Sequence, residues 1–280
     1  MNIAEFTSLT FAGALVAGLV GSLTGLGGGV IVVPLLTLAL GVDIRYAIGA
    51  SLVSVIATSS GAAAAYVREG FTNLRLGMFL EIATTVGALS AALVASRIPA
   101  TAIAVVFGSV LIISALLSAR RPDVVAVPAR ADRLATALRM DSSYPEAPGR
   151  MVRYHVRRVP GGFGVMFVAG LLSGLLGIGS GALKVLAMDL VMRLPLKVST
   201  TTSNFMIGVT AAASAGVYLH RGYINPAIAM PVMLGVLGGS LVGARYLPRA
   251  QVRSLRLFFV VVIFALGVEM IFNGLTGRLK

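Results

Sequence analysis

Ten apolar stretches, too long and too poor in charge to be covered by water, set what this chain can fold into. They lie near Phe6–Leu23, Val30–Leu40, Tyr46–Val67, Leu76–Ser96 and Thr101–Ser118. A second set lies near Phe163–Leu176, Ala182–Met192, Val198–Leu219, Pro226–Ala244 and Leu255–Phe272. The longer stretches match the roughly 20 residues that a helix needs to cross a ~30 Å hydrocarbon core. Only 12% of the 280 residues are charged and 57% are hydrophobic, against about 25% and about 45–50% in soluble domains. A soluble enzyme, a disordered chain and a secreted disulfide module are excluded on these grounds. With no cysteine, thiolate metal sites and Fe–S clusters are excluded too. The expectation is an all-α polytopic membrane protein in the cell membrane, with the lipid bilayer as its surroundings. The first apolar run has no basic residue before it and reads as a helix rather than a cleaved leader.

The two sets of stretches are an internal repeat. A shift of 152 positions needs no gap from Gly25 to Gly87. It lays Gly25-Leu26-Gly27-Gly28-Gly29 on Gly177-Ile178-Gly179-Ser180-Gly181, Arg45 on Lys197, Ser51 on Ser203 and Thr58 on Thr210. It also lays Gly70-Phe71 on Gly222-Tyr223, Asn73 on Asn225 and Gly87 on Gly239. Glycine-rich sequences match by chance, but not with serine, asparagine, aromatic and basic residues in the same register. The chain divides into repeat 1 at 1–118, a linker at 119–160 and repeat 2 at 161–280. The linker holds nine arginines against four acidic residues and is broken by prolines. Within it, 150–159 reads as extended or as lying on the lipid surface, and the whole as cytoplasmic.

Val30–Leu40 is 11 residues, roughly 16 Å of helix, or about half the hydrocarbon thickness. The glycines before it either break a helix or turn the chain back. A chain that continues gives parallel halves, and one that turns back gives inverted halves. Loop charge chooses between them. With the linker inside and Lys184 set aside, thirteen basic residues remain. The inverted scheme places eight inside and five outside, and the parallel scheme places five inside and eight outside. Cytoplasmic loops carry the excess of Lys and Arg. Two inverted repeats are therefore expected, each with a Gly-broken short helix or re-entrant hairpin plus three long helices, and with both termini outside. The net charge of +13 is a topology signal, and no nucleic-acid partner is expected.

The glycine clusters, including Gly27, Gly28, Gly29, Gly179, Ser180 and Gly181, are the first candidate site. Irregular backbone at membrane depth belongs inside the protein or beside a wet cavity. A helix that starts there has free N–H groups and a positive dipole end, which suit an anion. The competing reading is that the glycines only permit close helix packing. Lys184 stands alone as a cation in an apolar run, where a charge by default marks function. It either partners an anion, pairs with Asp189, or snorkels to the interface. Ser51, Ser203 and Asn204 offer hydrogen bonds to an oxyanion, or to neighbouring helices. Glu81 and Glu269 also sit in apolar runs, where burial favours a protonated carboxyl. Glu81 is the proton-coupling candidate, and it aligns with Met233, so it has no symmetric partner. His155 and His220 do not suggest a metal site. No cofactor, P-loop or catalytic constellation is visible.

These features together resemble the TauE/SafE, or sulfite exporter, family of membrane anion transporters. The resemblance rests on GSLTGLGGG from Gly21 to Gly29 leading into Val33-Pro34, and on GLLGIGSG from Gly174 to Gly181. Gly70 and Gly222 at the helix turns and the duplicated layout add to it. It covers nearly the whole chain except the linker. It implies secondary transport of sulfite, sulfoacetate or related organosulfonates. Alternating access between the halves, protons as a candidate coupling ion through Glu81 and a homodimer as a candidate assembly are further expectations. The chain departs from the pattern at Ser180, which stands opposite Gly28, and at Leu186, which stands opposite Pro34. An anion channel, a transporter of other organic anions and a non-transporting membrane scaffold are the alternatives.

Overall fold

The computed structural model describes residues 2–24, 28–68, 70–119, 132–147, 150–246 and 252–277. Repeat 1 comprises α1 (Ile3–Thr24), α2 (Gly29–Pro34), α3 (Ile44–Arg68), α4 (Leu74–Ala95) and α5 (Ala100–Ala119). A short α6 (Arg133–Ala137) and a hairpin of β1 (Ser142–Ala147) and β2 (Arg150–Tyr154) follow. Repeat 2 comprises α7 (Val159–Leu176), α8 (Gly181–Leu186), α9 (Leu196–His220), α10 (Pro226–Tyr246) and α11 (Val252–Leu275). Among the described residues, stretches of α1, α4, α5, α7 and α10 are long and apolar enough to cross a membrane. A helix pairs every backbone group within itself, which hydrocarbon demands.

All ten expected helices are present, and their contacts follow the repeat. A Cβ on Gly18 of α1 would run into the Val236 carbonyl oxygen of α10, and one on Gly170 of α7 would run into that of Thr84 on α4. Gly239 meets Leu15 in the same way that Gly87 meets Phe167. Each of these pairs maps onto the other by the shift of 152. The glycines let backbones touch, which is how membrane helices associate without a hydrophobic driving force. Equivalent helices also pack on each other. Along α3, Ser59 lies against Gly208 of α9 and Gly49 against Tyr223 just past the end of α9, so contacts rise on one helix as they fall on the other. Gly108 with Gly267, and Gly274 with Thr101, give the same order on α5 and α11.

The short helices are built alike. Each passes into a π-helical turn, Leu35–Ala39 after α2 and Ala187–Val191 after α8. Leu186 stands where repeat 1 has Pro34, yet the turn forms in both, so proline is not its cause. Val42 N–H closes on the Leu36 carbonyl at 2.9 Å, and Leu194 N–H on that of Met188 at 3.0 Å. The turns into α4 and α10 pass through Gly70 and Gly222, with φ of 74° and 75°. That left-handed conformation favours glycine.

Residues 132–158 are more than a connection. β1 and β2 pair antiparallel, with Ser142 opposite Tyr154 and Tyr144 opposite Val152. This agrees with an extended reading of 150–154. Met140, Tyr144, Tyr154 and Val156 are buried against Leu76, Leu80, Leu194 and Val198. Asp132 caps α6 and accepts the Val159 N–H, and Asp141 accepts the Val156 N–H at 2.9 Å. Asn73 ties this cap to the membrane helices. Its amide donates to Tyr154 Oη at 2.9 Å and to the Met140 carbonyl at 2.8 Å, while its carbonyl oxygen caps α4 at Leu76 N–H. Burial raises the pKa of the Tyr154 phenol above its ordinary value, against hydrogen bonds with Asn73 and Ser142.

Candidate functional site

The second glycine cluster makes a sharp break. Gly177 and Gly179 are left-handed at φ 68°, and Ser180 follows at φ 49°. A left-handed serine is costly. Here its Oγ donates to the Ala169 carbonyl at 2.6 Å, which anchors the turn on α7. In the first cluster Gly28 is right-handed at φ −66°. It is needed for space instead, since a Cβ would stand 2.7 Å from the Val236 side chain. This explains why serine is accepted in one copy and glycine kept in the other. Gly27 lies outside the described residues.

The two breaks come together at the centre. Ser51 Oγ donates to the Gly177 carbonyl at 2.8 Å and approaches that of Gly29 at 3.3 Å. Ser203 Oγ reaches the Gly181 carbonyl at 3.2 Å. Both hydroxyl protons point at backbone oxygens, so in this conformation the serines pin the starts of α2 and α8. Val55 packs on Gly29 and Gly179, and its equivalent Ile207 packs on Gly179 and Gly181. Asn204 is half-buried beside Ser203 on α9. A cavity of about 10 Å³ lies between Val30, Ile178, Ser180, Gly181 and Ile263. That is room for about one water.

Lys184 is fully buried and so does not snorkel. Its acidic neighbour is Glu81 of the other half, with Nζ 3.8 Å from Oε2. Thr210 of α9 joins them: Lys184 Nζ donates to Thr210 Oγ1 at 2.5 Å, and Thr210 Oγ1 lies 2.5 Å from Glu81 Oε1. Thr85 Oγ1 also donates to Glu81 Oε1, at 3.0 Å, and Thr84 Oγ1 lies 3.4 Å from Thr210 Oγ1. Two candidates that the sequence kept apart are thus one cluster. An isolated charge in a low-dielectric interior is costly, and pairing and hydrogen bonding are what allow it. Thr210 was visible only as one of several repeating threonines, and Thr84 and Thr85 carried no signal. The equivalent positions in the opposite repeat hold Val32 for Lys184, Thr58 for Thr210 and Met233 for Glu81, so the charged cluster is not duplicated. Glu269 is exposed on α11.

The family model described as sulfite exporter TauE/SafE matches residues 10–270. The chain is 28% identical to the "Probable membrane transporter protein YunE" of Bacillus subtilis, over 93% of this chain and 96% of that protein. It is 26% identical to the "Probable membrane transporter protein YdhB" of the same organism, over 85% and 90%. A "Probable membrane transporter protein" of Xylella fastidiosa is 25% identical over 98% of each chain. No solved structure matches the chain significantly.

Proposed function

The chain belongs to the TauE/SafE sulfite exporter family, and from that premise we propose that it is a secondary transporter of small sulfur-containing anions, working by alternating access. It is a multi-pass membrane protein, as its apolar helices and its membrane-transporter relatives agree. The observation that carries the proposal is the fully buried Lys184, held with Glu81 and Thr210 where α4 of one half meets α8 and α9 of the other. A buried cation between two halves is a point-charge partner for an anion, and movement of the halves would expose it to each side in turn. The paired breaks at Gly28-Gly29 and Gly179-Ser180-Gly181 supply the irregular backbone that transporters of this kind place beside substrate. Gly27, Ser51, Ser203 and Asn204 belong to the same proposed site.

The halves are read as inverted. The opposed contact order of α3 with α9, and of α5 with α11, supports this, because equivalent helices then run in opposite directions. The loop charges support the same reading, with the arginine-rich segment and its folded cap in the cytoplasm. Binding to the purified protein tests the substrate class. Sulfite or sulfoacetate should bind, and taurine and acetate serve as controls. Preference for acetate contradicts the sulfur-anion reading.

A further inference from the structure

Resting on the transporter reading above, we infer that Glu81 is the resident counter-ion of Lys184, and that a transported anion replaces it only when Glu81 takes up a proton. The two carboxylate oxygens of Glu81 differ. Oε1 is held by Thr210 and Thr85, whereas Oε2 is buried, has no hydrogen-bond partner and faces Lys184 Nζ at 3.8 Å. Oε2 is therefore held by charge alone, and it is the atom on which a proton would sit.

Charge balance sets the exchange. A buried cation without an anion costs several kcal/mol, and so does a surplus anion. Lys184 therefore needs one counter-charge at all times and does not accommodate two. In the resting state Glu81 supplies it. In the loaded state the proton is on Oε2, Glu81 is neutral, and the substrate supplies the charge. No bond in the substrate changes. The proton comes from the side on which the anion enters and leaves with it, so one proton moves with each anion in the same direction.

The surroundings leave Glu81 this role. The sequence of α7, which packs on α4, has no ionisable side chain. From α9 the group facing Glu81 is Thr210, while Lys197, Tyr218 and His220 lie toward the ends of that helix. From α8 it is Lys184, and Asp189 lies in the π-helical turn beyond. On α4 itself the other charged residue is Arg75, in the first turn. Val32 and Met233 at the symmetric positions offer no second pair, so the exchange has one location in the chain.

Binding of 2-hydroxyethanesulfonate and of methanesulfonate to the purified full-length protein, measured between about pH 6 and pH 8, tests this, because both probes stay monoanions there. Wild-type affinity should weaken as pH rises, by up to about tenfold per pH unit. Anion binding to the wild-type protein should also raise the infrared band of a protonated carboxyl, and Glu81→Gln, which has no carboxyl there, should lack that band. A second measurement needs no variant: in weakly buffered solution, wild-type protein should take up one proton per anion bound, read with an indicator dye. Binding without proton uptake, or without a carboxyl band that Glu81→Gln removes, overturns the inference while leaving the transporter reading intact. Failure of the wild-type protein to bind either probe overturns the transporter reading, and the inference falls with it.

Discussion

Lys184 Nζ lies 3.8 Å from Glu81 Oε2, across the boundary between the two halves of the chain. Thr210 completes the link with a hydrogen bond to each. Moving α4 away from α8 and α9 must stretch or break this connection. The ion pair thus joins folding stability to movement of the halves.

Removing one member should destabilise the protein more than removing both. Lys184→Met leaves Glu81 buried without its cation, at a cost of about 3–5 kcal/mol. The double variant Lys184→Met/Glu81→Gln removes both charges and should recover most of the lost melting temperature. Neither variant should bind the anion. Thermal unfolding in detergent reads the stability and a binding titration reads the rest. A double variant no more stable than the single one contradicts the pairing.

The glycine contacts predict a second pattern. Gly239→Val would drive a side chain into the Leu15 carbonyl and force α1 from α10. Gly87→Val does the same to α7 and α4, against Phe167. Overpacking costs about 1–3 kcal/mol or more, seen as lower melting temperature and folded yield. Gly216 has open space around its missing Cβ. Gly216→Ala should therefore be neutral, or stabilising by up to about 1 kcal/mol through helix propensity.

Ser51→Ala and Ser203→Ala each free a buried carbonyl at the start of a short helix. Each should cost about 1 kcal/mol, and because Ser51 bonds Gly177 of the other repeat, the double variant should depart from the sum of the two singles. Melting curves of the single and double variants check this. Loss of stability in one variant only would break the symmetry argued for the two breaks.

Asn73 predicts the behaviour of the cap. Asn73→Ala removes its bonds to Tyr154 and Met140 and the cap of α4. A lost cap alone costs about 1 kcal/mol. Cleavage within 132–158 by limited proteolysis should speed up several-fold. Tyr154→Phe loses one of those bonds and should show a smaller increase.

The helices were legible because each carries its own signal, an apolar run bounded by glycine or charge, written twice. The folded cap was not. Its buried residues Met140, Tyr144, Tyr154 and Val156 are scattered among arginines and prolines, and their partners Leu76 and Leu194 are distant in sequence. The site was half legible. Lys184 and Glu81 each stood out as a charge in an apolar run, but their pairing joins different repeats and has no symmetric copy. The helices predicted the neighbourhood, and only the packing of α9 against both α4 and α8 brought the two charges together. Pro34 and Leu186 teach the reverse lesson, since a conspicuous sequence difference leaves the π-helical turn unchanged.

The central claim is that the chain carries anions by alternating exposure of one site. Counterflow in proteoliposomes tests it most directly. Vesicles preloaded with unlabelled sulfoacetate should take up external labelled sulfoacetate faster than empty vesicles, with saturable kinetics, and Lys184→Ala should abolish the effect. Linear, unsaturable uptake that preloading does not accelerate would contradict the account.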